Sequence, residues 1–311
     1  MEHQRLPGGL WPVMLTPFEP NGKIDHPALE ELTDFYVEHG AAGLFANCLS
    51  SEMFHLKPEE MLTVVGTVLK QTNGNIPVIA TATFGYETGD HIRLIREMYD
   101  LGVAAVVMVT SQIARETDDD SLMMMILEKI MGQTGEIPLG LYECPEPYKR
   151  LIEPDKAGEL ANSGRFLYYK ETSCNTRVIR EKLEAIRGSV LRLFNANTPT
   201  ALESLHEGAH GLSPISANYY PELFELLYRM GSSGLDTEEA TMLQQYLAIM
   251  DAVTRIKYPL SAKLFLSWRG LRMDPVTRIK VPPLNYEEIR MLEFLYDQYR
   301  MLAERFNLVK W

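Results

Sequence analysis

Cysteine is scarce in this chain: three among 311 residues, at positions 48, 144 and 174, with no CxxC pair. So few thiols exclude a disulfide framework, and their separations match no zinc-ligand spacing. No metal is therefore expected. Basic charge is also short. The 30 Lys and Arg against 42 Asp and Glu leave a net charge of −12, without the basic footprint that nucleic-acid binding needs. No apolar run approaches the length of a membrane span, and Met1-Glu2-His3-Gln4-Arg5 lacks the apolar core of a signal peptide. Low-complexity tracts are missing too, so no segment reads as disordered. These absences leave a soluble, cytoplasmic globular protein as the expectation, with no nucleic-acid or membrane partner.

What the chain does have is alternation. Short apolar runs at residues 10–15, 42–47, 76–82, 104–110, 137–143, 166–170, 190–195 and 211–215 read as eight strands. They are continuous rather than polar/apolar alternating, as expected where both faces are covered. Between them lie one-face helical repeats such as Leu29, Leu32, Phe35, Tyr36 and Ile92, Ile95, Met98, Tyr99. Pro58 is placed to open a helix, and Gly40 and Gly102 to follow the ends of two others. The fold class is α/β: a (β/α)8 TIM barrel over residues 1–234, with residues 235–311 as a C-terminal helical extension packed on it as one structural unit.

In such a barrel, chemistry sits at the carboxyl ends of the strands. Lys170 closes the apolar run Phe166-Leu167-Tyr168-Tyr169, where burial lowers an amine's pKa and frees the neutral nucleophile for carbonyl chemistry. A salt-bridged or snorkelling lysine is the competing structural reading. Tyr142 at the end of strand five is a candidate proton carrier, against a plain core tyrosine. Ser50 and Ser51 after strand two, Thr172 after strand six, Asn197 after strand seven and Ser213 on strand eight are candidate substrate-binding groups. Ser50 equally fits a turn residue, and Glu52 reads as a loop-orienting group. The Met123-Met124-Met125 run reads as a helix packing face and Asp118-Asp119-Asp120 as a helix start.

An ordered set of motifs carries a resemblance across nearly the whole chain. They are Leu15-Thr16-Pro17-Phe18, Ser50-Ser51-Glu52, Leu141-Tyr142-Glu143-Cys144-Pro145 and Lys170-Glu171-Thr172-Ser173. Glu207-Gly208-Ala209-His210-Gly211, Ser216-Ala217-Asn218 and the stretch from Pro259 to Lys263 complete it. The sequence resembles the dihydrodipicolinate synthase / N-acetylneuraminate lyase family of class I, Schiff-base-forming aldolases. The resemblance implies that Lys170 condenses with the keto carbon of a 2-oxo acid, that Tyr142 moves protons and that Ser50 binds the carboxylate. Asn197 stands where sugar-acid members place an aspartate that holds substrate hydroxyls. It also implies that no external cofactor is needed, the imine on Lys170 serving that role, and that the assembly is a homotetramer built as a dimer of dimers.

The departures shape the functional expectation. Leu49 replaces the first hydroxyl of the family's strand-two loop, and Ser51 replaces a glycine. Gln112 and Ile113 stand where the lysine-pathway enzyme has paired tyrosines, and Pro147 where it has an arginine for its second substrate. A true dihydrodipicolinate synthase is therefore not expected. The expected activity is a lyase or aldolase joining pyruvate, or another 2-oxo acid, to an aldehyde, with a 2-keto-3-deoxy sugar acid as the combined molecule. A dehydratase of such acids using the same imine, and a barrel that binds a 2-oxo acid without turnover, are the alternatives.

Overall fold

The computed structural model describes residues 4–85, 87–234 and 237–308. The barrel alternates strand and helix. Its elements are β1 (Gly9–Leu10), α1 (His26–Glu38), β2 (Leu44–Asn47), α2 (Pro58–Thr72), β3 (Val78–Thr81), α3 (Thr88–Asp100) and β4 (Ala105–Val109). There follow α4 (Thr110–Ile113), α5 (Asp120–Gln133), β5 (Leu139–Tyr142), α6 (Pro154–Asn162), β6 (Phe166–Glu171), α7 (Thr176–Ala185) and β7 (Arg192–Asn195). Then come α8 (Ala201–His206), β8 (Gly211–Leu212), α9 (Pro221–Ser232), α10 (Glu238–Thr254), α11 (Leu260–Trp268) and α12 (Tyr286–Arg305).

The strands run parallel in the order β1-β8-β7-β6-β5-β4-β3-β2. The ring closes between the first and second strands through bridges Leu10–Ala41 and Val13–Phe45. The expected first strand, 10–15, is regular only at its start. Pro12 has no N–H to give a ladder; its carbonyl accepts from Phe45 N at 3.0 Å while Met14 N donates back to the Phe45 carbonyl at 3.0 Å. The result is a true (β/α)8 barrel.

Helix punctuation follows the sequence. Pro58 opens α2, and Gly40 and Gly102, at φ 85° and 105°, lie just beyond α1 and α3. Asp119 caps α5 by accepting from Leu122 N at 2.8 Å. Of the methionine run on that helix, Met123 and Met124 are buried and Met125 faces out.

Two apolar clusters divide the strands by parity. Side chains such as Val107, Val109, Tyr142, Tyr168 and Phe194 fill the barrel interior. Their neighbours Val106, Met108, Leu141 and Tyr169 face the helices. The Tyr168 and Phe194 rings stack at 4.6 Å and Trp11 packs on both, making the interior a packed core rather than a pore. The outer cluster runs without interruption into Leu243, Phe265 and Leu292 of α10, α11 and α12. Residues 1–3 and the start of the expected extension, 235–236, lie outside the described residues. Among the described residues no helix is long and apolar enough to cross a membrane.

Candidate active site

Tyr142 and Lys170 are register partners on β5 and β6. Both point inward, because each lies two residues from an interior position of its own strand or a multiple thereof: Lys170 shares parity with Tyr168. Their side chains meet at the carboxyl end of the barrel, with the lysine Nζ 4.6 Å from the centre of the tyrosine ring. Lys170 is 2% exposed. No carboxylate among the described residues lies within ion-pair distance of it, and burial pushes its ammonium down to about 8. Burial raises the Tyr142 phenol well above the usual tyrosine range, with the nearby Cys144 adding to the effect. Burial pushes the Cys144 thiol itself up to about 11.

The residue that follows each of them points the opposite way. Glu143 and Glu171 face the helices, where Lys182 of α7 reaches both, at 2.7 and 3.1 Å, with all three side chains fully buried. Glu143 also accepts from Tyr169 Oη at 2.6 Å, Ile152 N at 2.8 Å and Thr172 N at 2.9 Å. Burial is the largest influence on Glu171, and it raises that carboxyl. This polar knot sits directly behind the amine and the phenol and fixes the strand ends that carry them.

The loop after β2 forms the opposite wall. Glu52 adopts a left-handed backbone at φ 58°. Its carboxylate takes Lys263 Nζ of α11 at 2.7 Å, Arg278 N at 2.6 Å and Ile279 N at 2.9 Å. That is the loop-orienting role expected of it. Cys174 (φ 59°) and Lys257 (φ 46°) are two further non-glycine residues in this sparsely allowed region. Glu52 and Cys174 line the mouth, and Lys257 directly precedes Tyr258, which lines it as well. Strained backbone held by its surroundings is a recurrent mark of functional sites. On the same side, Asp251 of α10 accepts from Thr198 Oγ1 at 2.7 Å and Ser216 Oγ at 2.5 Å, mooring the loops after β7 and β8.

A cavity of about 560 Å³ opens between these walls, lined by Lys170, Tyr142, Ser50, Thr172, Asn197 and Tyr258 among others. Five of the residues expected at the site from sequence are thus brought together. Within them Thr172 gives its hydroxyl proton to the Glu143 carbonyl at 2.7 Å, and Asn197 caps the turn Thr198–Thr200 with its side-chain oxygen.

Two expectations are corrected. Ser51 does not reach the cavity: it is fully buried in the wall, its hydroxyl within hydrogen-bond distance of the Met14 and Ala46 carbonyls at 2.7 and 3.0 Å. Ser213 lies inside the barrel, donating to the Trp11 carbonyl at 2.8 Å and accepting from Tyr168 Oη at 3.0 Å. Both hydroxyls staple backbone. Gln112 likewise turns away, accepting from Gly85 N at 3.0 Å.

Sequence reasoning missed Lys182 and Tyr258. The parity of Glu143 and Glu171 against Tyr142 and Lys170 was the available signal for a buried cation behind the site. Among the described residues no group of three or more His, Cys, Asp or Glu side chains could hold a metal ion; Cys48 and Cys144 are buried and Cys174 is exposed.

Residues 6–297 match the Dihydrodipicolinate synthetase family. The chain belongs to that family. Its members are lyases of the class I aldolase type. The chain is similar to the 4-hydroxy-tetrahydrodipicolinate synthase of Trichlorobacter lovleyi, at 28% identity over 93% of this chain and 97% of that one. It is also similar to the enzyme of the same name from Marinobacter nauticus, at 29% over 88% and 91%. Among solved structures, a monomeric dihydrodipicolinate synthase variant superposes with a TM-score of 0.86 at 19% identity over 94% and 97% of the two chains. The chloride-inhibited dihydrodipicolinate synthase from Acinetobacter baumannii, complexed with pyruvate, gives 0.84 at 23% over 94% and 99%. These likenesses establish a divergent dihydrodipicolinate synthetase-family barrel.

Proposed function

We propose that the protein is a Schiff-base-forming lyase or aldolase acting on the carbon–carbon bond between a pyruvate unit and an aldehyde, with a 2-keto-3-deoxy sugar acid as the combined molecule. The observation that carries this reading is a buried lysine with no carboxylate partner among the described residues, pushed down to about 8 and facing a cavity beside a protonated phenol. A structural lysine in that place would be paired.

The amine attacks C2 of the 2-oxo acid and water leaves, giving an iminium. As the C3–C4 bond breaks, its electron pair moves into the iminium to form an enamine, and the C4 hydroxyl loses its proton as the aldehyde departs. The enamine takes a proton at C3, and water then releases pyruvate and regenerates the amine. Tyr142 carries the proton to and from the reacting oxygens. Ser50 holds the carboxylate, and Asn197, in the lining of the same cavity, holds substrate hydroxyls. No external cofactor enters, since the lysine is the electron sink. A homotetramer built from dimers is the proposed assembly.

Dihydrodipicolinate synthesis is not the proposed reaction. Pro147 offers no cation where that enzyme grips its second carboxylate, and Gln112 is committed to the loop at Gly85.

The test is borohydride trapping with pyruvate, read as a mass gain on Lys170, followed by a panel of 2-keto-3-deoxy acids with Lys170→Ala as the blank. Release of pyruvate and an aldehyde is the expected result. Loss of water without cleavage would mark a dehydratase, and trapping with no turnover on any acid a binding protein. No trapping by the folded wild-type protein with any 2-oxo acid would overturn the reading.

A further inference from the structure

Tyr258 stands between α10 and α11, outside the eight strands, yet lines the same cavity as Lys170, Tyr142 and Ser50. The chain is held hard to deliver it there. Lys257, one residue earlier, keeps its left-handed backbone while its ammonium donates to the Pro283 carbonyl at 2.6 Å and to Glu288 at 2.5 Å.

The direction of the phenol's own proton follows from Asn218. Its side-chain nitrogen lies 2.9 Å from the Val13 carbonyl, and a carbonyl can only accept, which settles which end of the amide is the nitrogen. The same nitrogen donates to Tyr258 Oη at 2.6 Å. The amide oxygen accepts from the Tyr36 hydroxyl. The nitrogen offers nothing but donors, so Tyr258 accepts there and its own O–H is left to the cavity side, where Ser50 lines the wall beside it. Burial pushes the phenol well above the ordinary tyrosine range, so that proton stays in place.

The wall therefore offers two adjacent hydroxyl donors. The carboxylate of the same loop, Glu52, is already occupied by Lys263 and two backbone N–H groups. Paired O–H donors facing a buried amine fit an anionic oxygen pair better than a cation.

We propose that Tyr258 is a substrate-binding residue that, together with Ser50, grips the carboxylate of the 2-oxo acid while its keto carbon meets Lys170. The proposal rests on the imine reading above and adds a residue from the C-terminal segment to the site.

The experiment compares borohydride trapping of wild type and Tyr258→Phe across a range of pyruvate concentrations, with thermal melts to confirm folding. The expected result is a rise of about tenfold or more in the pyruvate concentration for half-maximal trapping, corresponding to the loss of one hydrogen bond to a charged group. The extent of trapping at saturation and the pH inflection stay as in wild type. An unchanged half-maximal concentration overturns the proposal, and so does a slower saturated rate at unchanged half-maximal concentration, which would make Tyr258 a proton carrier. If Tyr258→Phe does not fold, 3-fluorotyrosine at position 258 gives a second readout: a fluorine resonance that shifts saturably with pyruvate supports the contact, and one that does not move overturns it. Wild type that traps no 2-oxo acid overturns the imine reading itself, and this proposal with it.

Discussion

Lys182 Nζ lies 2.7 Å from Glu143 Oε1, both side chains fully buried, immediately behind the strand ends that carry Tyr142 and Lys170. One cation there serves two carboxylates, Glu143 and Glu171. Removing it leaves both carboxylates away from water without a counter-charge, which is far more costly than losing a surface pair.

Lys182→Met should therefore destabilise the fold by about 3–5 kcal/mol. Urea unfolding, read as a shift of the midpoint at constant slope, checks this. A loss below about 1 kcal/mol, the range of exposed pairs, would show that the knot contributes little.

The amine of Lys170 makes the opposite prediction. Its ionisation falls from 10.5 to about 8, a difference of 10.5 − 8 = 2.5, or on the order of 3 kcal/mol against the protonated form in the folded protein. Below about pH 8 both folded and unfolded chains hold the proton, and the folded state bears the whole penalty. Between about 8 and 10.5 the unfolded chain binds more protons, so wild-type stability rises with pH. Lys170→Met should accordingly melt several degrees higher than wild type at pH 7, with the gap closing as pH climbs toward 10.5. A variant less stable than wild type at pH 7 would mean that the lysine is paired in solution.

The same titration governs reactivity. Only the neutral amine attacks a ketone, so the initial rate of imine formation at saturating pyruvate should rise with pH and level off above about 8. Quenched trapping at intervals across pH 6 to 10 measures it. An inflection near the ordinary lysine value of about 10.4 would contradict the burial of the amine.

Ser50 and Ser51 are neighbours with different expected roles. Ser50→Ala should raise the pyruvate concentration for half-maximal trapping by about tenfold and leave the melting temperature nearly unchanged. Ser51→Ala removes the one buried hydroxyl shared between the Met14 and Ala46 carbonyls, and with it the acceptor of Cys48 N, and should cost about 1–3 kcal/mol. Both variants are read by the same trapping titration and melts; a reversed pattern would place the substrate at Ser51.

The barrel, the strand order and the inward lysine were legible because apolar runs separated by helical repeats leave few topologies, and because strand ends define one face. The particulars that were not legible share a physical cause. In strands covered on both sides, inward and outward residues are equally apolar, so Ser213, at the end of β8, carried no mark of the carbonyl it binds, and Ser51 looked like any hydroxyl of the loop after β2. Pro12 shortened β1 although the run around it is apolar throughout. Lys182 looked like any helix lysine until the parity of Glu143 and Glu171 gave it a destination. Tyr258 lies 88 residues after Lys170, and nothing local in its surroundings marks it as facing the mouth; only the fold brings it there.

Asp251 ties the loops after β7 and β8 to α10, while Lys263 ties the loop after β2 to α11. Among the described residues Lys170 and Tyr142 have no such tether; their anchorage is Lys182 on the far flank. The rim is thus divided like a vice, with one jaw fixed and the other riding on a pair of helices. A small swing of that pair would carry three loops in concert and change the gape of the entrance without disturbing the nucleophile.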